Sequence, residues 1–133
     1  MIEPRPVTGP LLLIADDDED ILELLGFRLE RAGYEVVRAR HGEEALRLAV
    51  EHTPALAVLD VMMPGLNGYE VTRRLRSDER TSSIAVILLT ARAQASDISR
   101  GMAAGADDYI KKPFDARDLK ERIERLLRPR LVG

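Results

Sequence analysis

Five acidic residues stand together near the start of the chain, where they could hold a cation. Residues 16–20 (Asp-Asp-Asp-Glu-Asp) directly follow the apolar run 11–15. One or two of these acids would be enough to cap a following helix and to complement its dipole. Five neighbouring carboxylates repel one another unless a cation relieves the repulsion. The motif alone therefore supports a helix cap and a metal site equally.

Three other apolar runs are each followed by a single residue that could do chemistry. Those residues are Asp60 after residues 56–59, Thr90 after residues 84–89 and Lys112 after residues 109–110. Each has an ordinary structural explanation when it is taken alone. A loop aspartate can stop a strand, a threonine at that place is usually structural, and a lysine before a proline usually marks a turn. The three become informative only in combination.

The hydrophobic pattern predicts the elements that must position these residues. Five short apolar runs predict strands at residues 11–15, 36–37, 56–59, 84–89 and 109–110. Three of the runs are continuous rather than alternating, which is typical of strands buried on both faces of a parallel sheet. A helical pattern follows each run. The alternation predicts an α/β fold, a doubly wound sandwich with a five-stranded parallel sheet.

Each of the five predicted helices carries an apolar stripe. The stripes are Ile21, Leu24, Leu25 and Leu29; Ala45, Leu46, Leu48 and Ala49; Val71 and Leu75; Ile98 and Met102; and Leu119, Ile123, Leu126 and Leu127. The predicted caps are Asn67 with Glu70 at the start of the third helix, Asp115 at the start of the fifth, and Gly33 and Gly105 at helix ends. Ser96, Ser99 and Gly101 lower the helix propensity of the fourth helix, and we expect it to be the most mobile.

The strand ends become a site once the sheet is parallel, because all of its carboxyl ends then lie at one edge. If the third strand lies beside the first, the carboxylates of Asp16, Asp17 and Asp60 converge there. Three carboxylate oxygens with water suit Mg²⁺ rather than Zn²⁺. A hydroxyl from Thr90 and an ammonium group from Lys112 complete the equipment for handling a phosphoryl group. Asp60 is the natural acceptor, because the other two aspartates form the metal-holding pair.

Composition excludes several classes of protein. The chain has 133 residues, a formal net charge of −3 and no cysteine. This length suits one domain, and the absence of cysteine excludes disulfides and thiolate metal sites and fits a cytoplasmic protein. The charge gives no electrostatic case for direct binding to nucleic acid or to a membrane. We expect a flexible tail at residues 1–10, one domain at residues 11–128, and a stub or the start of a linker at residues 129–133.

Four stretches, in order and at matching spacing, resemble the receiver domain of bacterial two-component response regulators. The stretches are Leu-Leu-Ile-Ala-Asp-Asp-Asp at 12–18, Leu-Asp-Val-Met-Met-Pro-Gly-Leu-Asn-Gly at 59–68, Leu-Leu-Thr-Ala at 88–91, and Gly-Ala-Asp-Asp-Tyr-Ile-Lys-Lys-Pro-Phe at 105–114. The resemblance covers residues 11 to about 128. It implies a flavodoxin-like (βα)5 fold with strand order 2-1-3-4-5.

The resemblance also implies a role for each site residue. Asp60 is the phosphoacceptor, which receives its phosphoryl group from a sensor histidine kinase or a phosphotransfer protein. Asp16, Asp17, Asp60 and the main-chain carbonyl of Met62 match the ligands of Mg²⁺, with Mn²⁺ as an alternative. Such a domain assists its own phosphorylation and dephosphorylation but is not an enzyme in the ordinary sense. Side chains at Met62 and Arg92 flank the site and are expected to control water access.

The remaining matches concern the switch. Residue types alone do not choose between Lys111 and Lys112, but the resemblance makes Lys112 the lysine that pairs with the phosphoryl oxygens. Thr90 matches the switch hydroxyl, and Tyr109 matches the aromatic ring that swings inward when that hydroxyl is recruited. Together they imply a change in the face formed by the fourth helix, fifth strand and fifth helix, which signals to an effector domain or a downstream protein.

One dimer mode of the family is matched only in part. Asp108 and Arg122 match one of the ion pairs that join two subunits through that face. The other positions depart from the pattern: Ile98 stands where a basic partner for Asp118 is expected, Ala103 and Glu124 make no pair, and Ser99 replaces an apolar residue. A phosphorylation-dependent homodimer of another geometry stays open. The ending Arg128-Pro129-Arg130 favours a piece of a longer regulator over a stand-alone receiver.

Two other function classes fit the sequence less well. A magnesium-dependent phosphohydrolase with an aspartyl nucleophile usually carries a second acid two residues later, where this chain has Met62. A flavin-binding module calls for a phosphate-cradling loop after the first strand, where this chain has five acids. Both alternatives are therefore disfavoured.

Overall fold

The computed structural model describes residues 9–91 and 93–128 as five strands that alternate with five helices. The strands are β1 (Leu11–Ala15), β2 (Glu35–Ala39), β3 (Leu56–Asp60), β4 (Ala85–Thr90) and β5 (Asp108–Lys111). The helices are α1 (Glu19–Arg31), α2 (Gly42–His52), α3 (Gly68–Ser77), α4 (Ala95–Ala104) and α5 (Ala116–Leu127). The predicted alternation is confirmed.

All five strands are parallel, and their order is β2-β1-β3-β4-β5. This order confirms the predicted fold class. The strand order reverses between β1 and β3, where ligands of such sheets commonly bind. The register pairs Ala15 of β1 with Leu59 of β3. Each strand therefore leads its next residue, Asp16 or Asp60, to the same point of the sheet edge.

The core is divided by the sheet into two layers, because successive residues of a strand point to opposite faces. Leu13 and Leu59 pack with the layer formed by α2, α3 and α4. Ile14 and Val58 pack with the layer formed by α1 and α5. Helices cover both faces, as the continuous apolar runs predicted. This double cover fixes the strands whose ends carry the site.

The predicted helix caps are largely confirmed. Asn67 and Glu70 form a capping box at the start of α3, with hydrogen bonds of 2.9 and 3.1 Å. Asp115 caps α5 through the backbone N–H of residue 117 at 2.8 Å. Gly105 ends α4 with φ +110°, a conformation that favours glycine. The C-cap of α1 is residue 32, and Gly33 follows it with φ +103°.

One predicted apolar stripe is wrong, and another is wrong in part. In α4, Ile98 and Met102 are 38% and 47% exposed, and the buried residues are Gly101 and Ala104. A Cβ at residue 101 would lie 2.9 Å from the Leu88 side chain, so only small residues let this helix reach the sheet. In α1, Leu25 and Leu29 are buried as predicted, but Leu24 is 49% exposed and Leu22 is buried instead.

The strand ends also differ slightly from the prediction. Asp60 and Thr90 are the last residues of β3 and β4 rather than the first residues beyond them. Residues 1–8 of the expected tail, Arg92, and the expected stub at 129–133 lie outside the described residues. Among the residues that the structure describes, no helix has the length and apolar character to cross a membrane.

Candidate functional site

Three carboxylates meet at the carboxyl edge of the sheet. Asp16 and Asp17 follow β1, and Asp60 ends β3. One oxygen from each carboxylate lies within 4.8 Å of the others. Asp16 and Asp60 are 2% and 4% exposed, whereas Asp17 is exposed to solvent. The predicted convergence is confirmed, and the cluster opens to solvent on the side of Asp17.

The acids that follow this pair have other partners, which separates the cap from the cluster. Asp18 caps α1 by accepting from the backbone N–H groups of residues 20 and 21 at 3.0 and 3.3 Å. Glu19 forms an ion pair with Arg40. Asp16 accepts from the backbone N–H of Asp18 at 2.9 Å, which orients its carboxylate. The sequence left a helix cap and a cation site as alternatives. The structure shows the cap on Asp18 and a separate cluster of carboxylates that includes Asp16.

Lys112 is the lysine that reaches the cluster. Its Nζ lies 3.0 Å from Asp16 Oδ2 and 3.3 Å from Asp60 Oδ1. Its backbone N–H donates to the carbonyl of Thr90 at 2.7 Å, which ties the β5 end to the β4 end. Lys111, the alternative left open by residue type, is exposed at the end of β5.

The electrostatics of the pocket show an excess of negative charge. Burial raises the pKa of Asp60 to about 6, and the charge of Asp16 adds to that rise. Lys112 and the backbone N–H of Met62, which donates to Oδ1 at 3.3 Å, act in the opposite direction on this pKa. Burial lowers the pKa of Lys112, but its hydrogen bond to Asp16 and the charges of both aspartates outweigh burial, so this pKa is raised. Lys112 therefore stays protonated, but its positive charge does not fully offset the negative charge of the acidic cluster.

The donor set fits a hard divalent cation. Three carboxylates converge, and the cluster contains no imidazole or thiolate. Such oxygen ligands suit Mg²⁺ and Mn²⁺. A cation would also offset the charge and burial that raise the pKa of Asp60.

The loop from β3 to α3 is packed firmly beside the cluster. Val61 and Met63 are buried, whereas the Met62 side chain between them is 51% exposed. A Cβ at Gly68 would lie 2.8 Å from the main-chain oxygen of Asp60, so this close approach requires glycine. A cleft of about 460 Å³ beside the loop also contacts Asp17. The loop fixes the backbone that follows Asp60 and leaves an entrance for a ligand.

Thr90 and Tyr109 lie side by side on β4 and β5. Thr90 is fully buried, and hydrogen bonding from its hydroxyl acts to lower the pKa of the Tyr109 phenol. Tyr109 is half-buried beneath α4, where Gly101 leaves room for its ring. Burial raises the pKa of the Tyr109 phenol. The structure therefore brings together the two residues to which the resemblance assigned the switch.

A residue that was not predicted from the sequence contacts Tyr109. Tyr69 is 3% exposed, and its hydroxyl lies 3.1 Å from that of Tyr109. It also donates to the main-chain carbonyl of Asp97 at 3.3 Å. The guanidinium of Arg100 lies over its ring, 4.6 Å from the centroid. The only sequence signal was a lone aromatic residue in the first turn of a helix.

Comparisons with known proteins agree with this geometry. The family profile described as "Response regulator receiver domain" matches residues 12–124. This chain belongs to that family. Its acidic pocket and its 2-1-3-4-5 sheet are those of a receiver domain.

Two curated relatives are transcriptional regulators. The chain is 46% identical over 119 residues to the DNA-binding dual master transcriptional regulator RpaA of Synechocystis sp., covering 90% of this chain and 49% of RpaA. It is 42% identical over 122 residues to the phosphate regulon transcriptional regulatory protein PhoB of Pseudomonas aeruginosa, covering 92% of this chain and 53% of PhoB. The receiver therefore spans about half the length of these relatives, which are regulators rather than enzymes.

Solved structures share the fold. A putative response regulator from Chloroflexus aurantiacus superposes with a TM-score of 0.87 at 38% identity, covering 92% of this receiver and all of that chain. The receiver domain of the sensor histidine kinase PA1611 from Pseudomonas aeruginosa superposes with a TM-score of 0.83 at 29% identity, covering 90% and 98%. That structure has a magnesium ion coordinated in its active site cleft.

Proposed function

We propose that this receiver accepts a phosphoryl group on Asp60 in an Mg²⁺-dependent reaction and signals through the face formed by α4, β5 and α5. The observation that carries the proposal is the position of Lys112 between Asp16 and Asp60 in a buried acidic pocket. An ammonium group there attracts phosphoryl oxygens, and the neighbouring carboxylate supplies a nucleophile.

The transfer needs an ionised Asp60. Lys112 and the Met62 N–H both contact Oδ1, so the second oxygen, Oδ2, is the candidate nucleophile. It attacks the phosphorus of a kinase phosphohistidine, and a phosphorus–oxygen bond forms as the phosphorus–nitrogen bond breaks. The electron pair of that bond stays on the imidazole of the donor. The product is an acyl phosphate, and Lys112 stabilises the charge on the transferred oxygens.

Asp16, Asp17, Asp60 and the main-chain carbonyl of Met62 would hold the cation. When bound, Mg²⁺ or Mn²⁺ neutralises charge on the phosphoryl oxygens. Two observations support this assignment: the all-oxygen cluster of this chain and the magnesium ion in the related receiver of PA1611. Asp17 is the exposed member, so a cation would enter from its side.

The switch begins with the new charge on Asp60. Phosphorylation adds about −1.5 to −2 charge. The Thr90 hydroxyl turns to the phosphoryl oxygens, and Tyr109 follows into the space that it leaves. Their hydrogen bond and their places on neighbouring strands support this order of events. Because α4 buries little more than Gly101 and Ala104, it is the element that can shift most easily.

The relatives support the partners that we propose. We propose a sensor histidine kinase or a phosphotransfer protein as the donor, in the cytoplasm, and an effector domain or a downstream protein as the target. Residues 11–128 act as the receiver. DNA binding is named for RpaA, which is about twice as long; we assign no direct nucleic-acid or membrane contact to this receiver.

A homodimer would need a geometry suited to the pairs present here. Arg122 contacts Asp108 at 2.8 Å and Asp118 at 3.2 Å within the same molecule. A dimer through this face would have to share or exchange those pairs. Phosphorylation-dependent dimerisation is therefore proposed as an alternative output only.

Intact mass tests the proposal directly. The protein is incubated with acetyl phosphate, with Mg²⁺ or with EDTA, beside the Asp60→Asn variant. We expect a gain of one phosphoryl group with Mg²⁺, no gain in EDTA and none in the variant. A gain that persists in Asp60→Asn would assign the acceptor to another residue. No gain in the wild type, repeated with a phosphorylated kinase as donor, would refute phosphoacceptance.

A further inference from the structure

A chain of side-chain hydroxyls leads from the site to α4. Thr90 of β4 and Tyr109 of β5 lie on paired strands, and hydrogen bonding from the Thr90 hydroxyl lowers the pKa of the Tyr109 phenol. The Tyr109 oxygen lies 3.1 Å from the Tyr69 oxygen. The Tyr69 hydroxyl lies 3.3 Å from the main-chain oxygen of Asp97. Three links therefore join the end of β4 to the first turn of α4.

The middle link is held firmly in place. Tyr69 belongs to the first turn of α3, which the capping box of Asn67 and Glu70 fixes. Its ring is 3% exposed and lies beneath the guanidinium of Arg100 from α4. Tyr69 thus contacts two elements of the proposed signalling face, β5 and α4, although it lies on α3. Nothing in the proposed phosphoryl transfer requires it.

The direction of the hydrogen bonds is determined by their last member. The carbonyl of Asp97 can only accept, so Tyr69 donates its single proton to it. Tyr109 must then donate to the Tyr69 oxygen, and Thr90 donates to Tyr109. The pKa of the Tyr109 phenol agrees with this order, since burial and Tyr69 raise it whereas the Thr90 hydrogen bond lowers it. Aligned hydrogen bonds of this kind strengthen one another.

We propose that Tyr69 is a positioning residue of the switch, which holds the Tyr109 ring against the first turn of α4 and transmits the movement of Thr90 to that helix. The inference rests on the proposed function of Asp60. When Thr90 turns its proton to a phosphoryl oxygen, Tyr109 loses a donor but keeps Tyr69 as its acceptor. The Tyr109 ring then moves while it is still hydrogen-bonded to Tyr69, whose hydroxyl also bonds to the first turn of α4, so the movement reaches that helix.

The Tyr69→Phe variant removes the tether and keeps the ring. Tyr34→Phe is a matched control, because Tyr34 precedes β2 at the opposite edge of the sheet. The chain has three tyrosines and no tryptophan, so protein labelled with ¹³C-tyrosine gives one set of ring signals per residue. In the unliganded protein we expect Tyr69→Phe to shift and broaden the Tyr109 signals and to speed amide exchange in the first turn of α4. Tyr34→Phe should do neither.

Affinity for beryllofluoride with Mg²⁺, as a phosphoryl mimic, gives the second readout. Loss of the tether uncouples Tyr109 from α4, so we expect Tyr69→Phe to weaken this affinity about two- to tenfold and Tyr34→Phe to leave it unchanged. A merely structural role would lower thermal stability without moving the affinity. Unchanged Tyr109 signals, or an affinity equal to or tighter than that of the wild type, would overturn the inference.

The two proposals fail in different ways. If the wild type neither gains a phosphoryl group nor binds beryllofluoride, the function proposed for Asp60 fails. The unliganded spectra still decide whether Tyr69 positions Tyr109, because they require no phosphoryl group. If the wild type binds the mimic and Tyr69→Phe matches it in spectra and affinity, only the role of Tyr69 fails.

Discussion

The acidic pocket and α4 are built in opposite ways. Asp16 and Asp60 are almost fully buried, at the ends of central strands covered on both faces, and Lys112 contacts both. In contrast, α4 buries only Gly101 and Ala104, and its large apolar side chains face solvent. The pocket is fixed by many contacts, whereas the helix is held by few. A site for transfer needs fixed charges, and a surface that reports the transfer needs an element that moves at low cost.

The largest effect is expected for a variant of the pocket that should lose Mg²⁺-dependent phosphorylation and keep its fold. Asp17→Ala removes the exposed carboxylate of the cluster, so we expect loss of Mg²⁺-dependent phosphorylation by acetyl phosphate. The phosphorylation rate should fall by more than the roughly 10- to 100-fold that is typical when a residue contacting a metal ligand, rather than the ligand itself, is changed. The fold should be unaffected, because this side chain is exposed. Phosphorylation rates over a range of Mg²⁺ concentrations, with thermal unfolding as the control, check both parts. An unchanged Mg²⁺ dependence would contradict the assigned ligand.

A second variant tests the other end of the strands, where β4 and β5 begin. Arg76 of α3 donates to the main-chain oxygens of Ser82, Ile84 and Gly105 and pairs with Asp107 at 2.9 Å. Arg76→Ala leaves these acceptors without that partner, and we expect the free energy of unfolding to fall by about 2–3 kcal/mol. Phosphorylation at saturating Mg²⁺ should continue while the protein is folded. Urea unfolding measures the loss, and Arg76→Lys should recover only part of it, because lysine lacks the forked guanidinium.

The third variant tests whether ionised Asp60 lowers the free energy of unfolding when no cation is bound. The pKa of Asp60 is raised to about 6, above its ordinary value. The folded protein therefore binds a proton on the Asp60 carboxylate more tightly than the unfolded chain does. Ionised Asp60 therefore destabilises the fold above about pH 6, and the effect fades as pH falls toward 4. In EDTA at neutral pH we expect Asp60→Asn to raise the free energy of unfolding by on the order of 1 kcal/mol.

The control for this variant is the pH series itself. The gain of Asp60→Asn should shrink between pH 6 and pH 4, as wild-type Asp60 becomes protonated in the folded protein. A gain independent of pH would indicate a packing effect instead. A loss of stability at neutral pH would mean that the ion pair with Lys112 outweighs burial and the charge of Asp16.

The contrast between the two regions also explains what could be predicted from the sequence. The pocket was predictable because buried charges are rare and stand out at strand ends, as Asp60 and Lys112 do. The parallel sheet then brought them together by its geometry alone. In α4 the buried residues are small, so the apolar pattern indicated Ile98 and Met102 in place of Gly101.

Tyr69 shows the remaining limit. Its role depends on a hydroxyl contact with Tyr109, forty residues away, and on a main-chain oxygen of α4. Nothing in the local pattern of α3 distinguishes such a contact from simple burial of an aromatic ring. The sequence could not decide between a cap and a cation site at residues 16–20 for the same reason. Only the neighbours in three dimensions distinguish the role of Asp18 from that of Asp16.

The smallest expected effect lies where the fixed pocket meets solvent. Met62 follows Asp60 by two residues and is 51% exposed, so its side chain borders the entrance while its backbone is fixed. Met62→Asn should leave phosphorylation intact and speed loss of the phosphoryl group by a few-fold, because an amide can orient water that a thioether excludes. Intact mass over time after removal of the donor measures this rate. Met63→Leu is the matched control, since Met63 is buried behind the same loop. If Met62→Asn and the control lose phosphate at the wild-type rate, the entrance does not govern the lifetime.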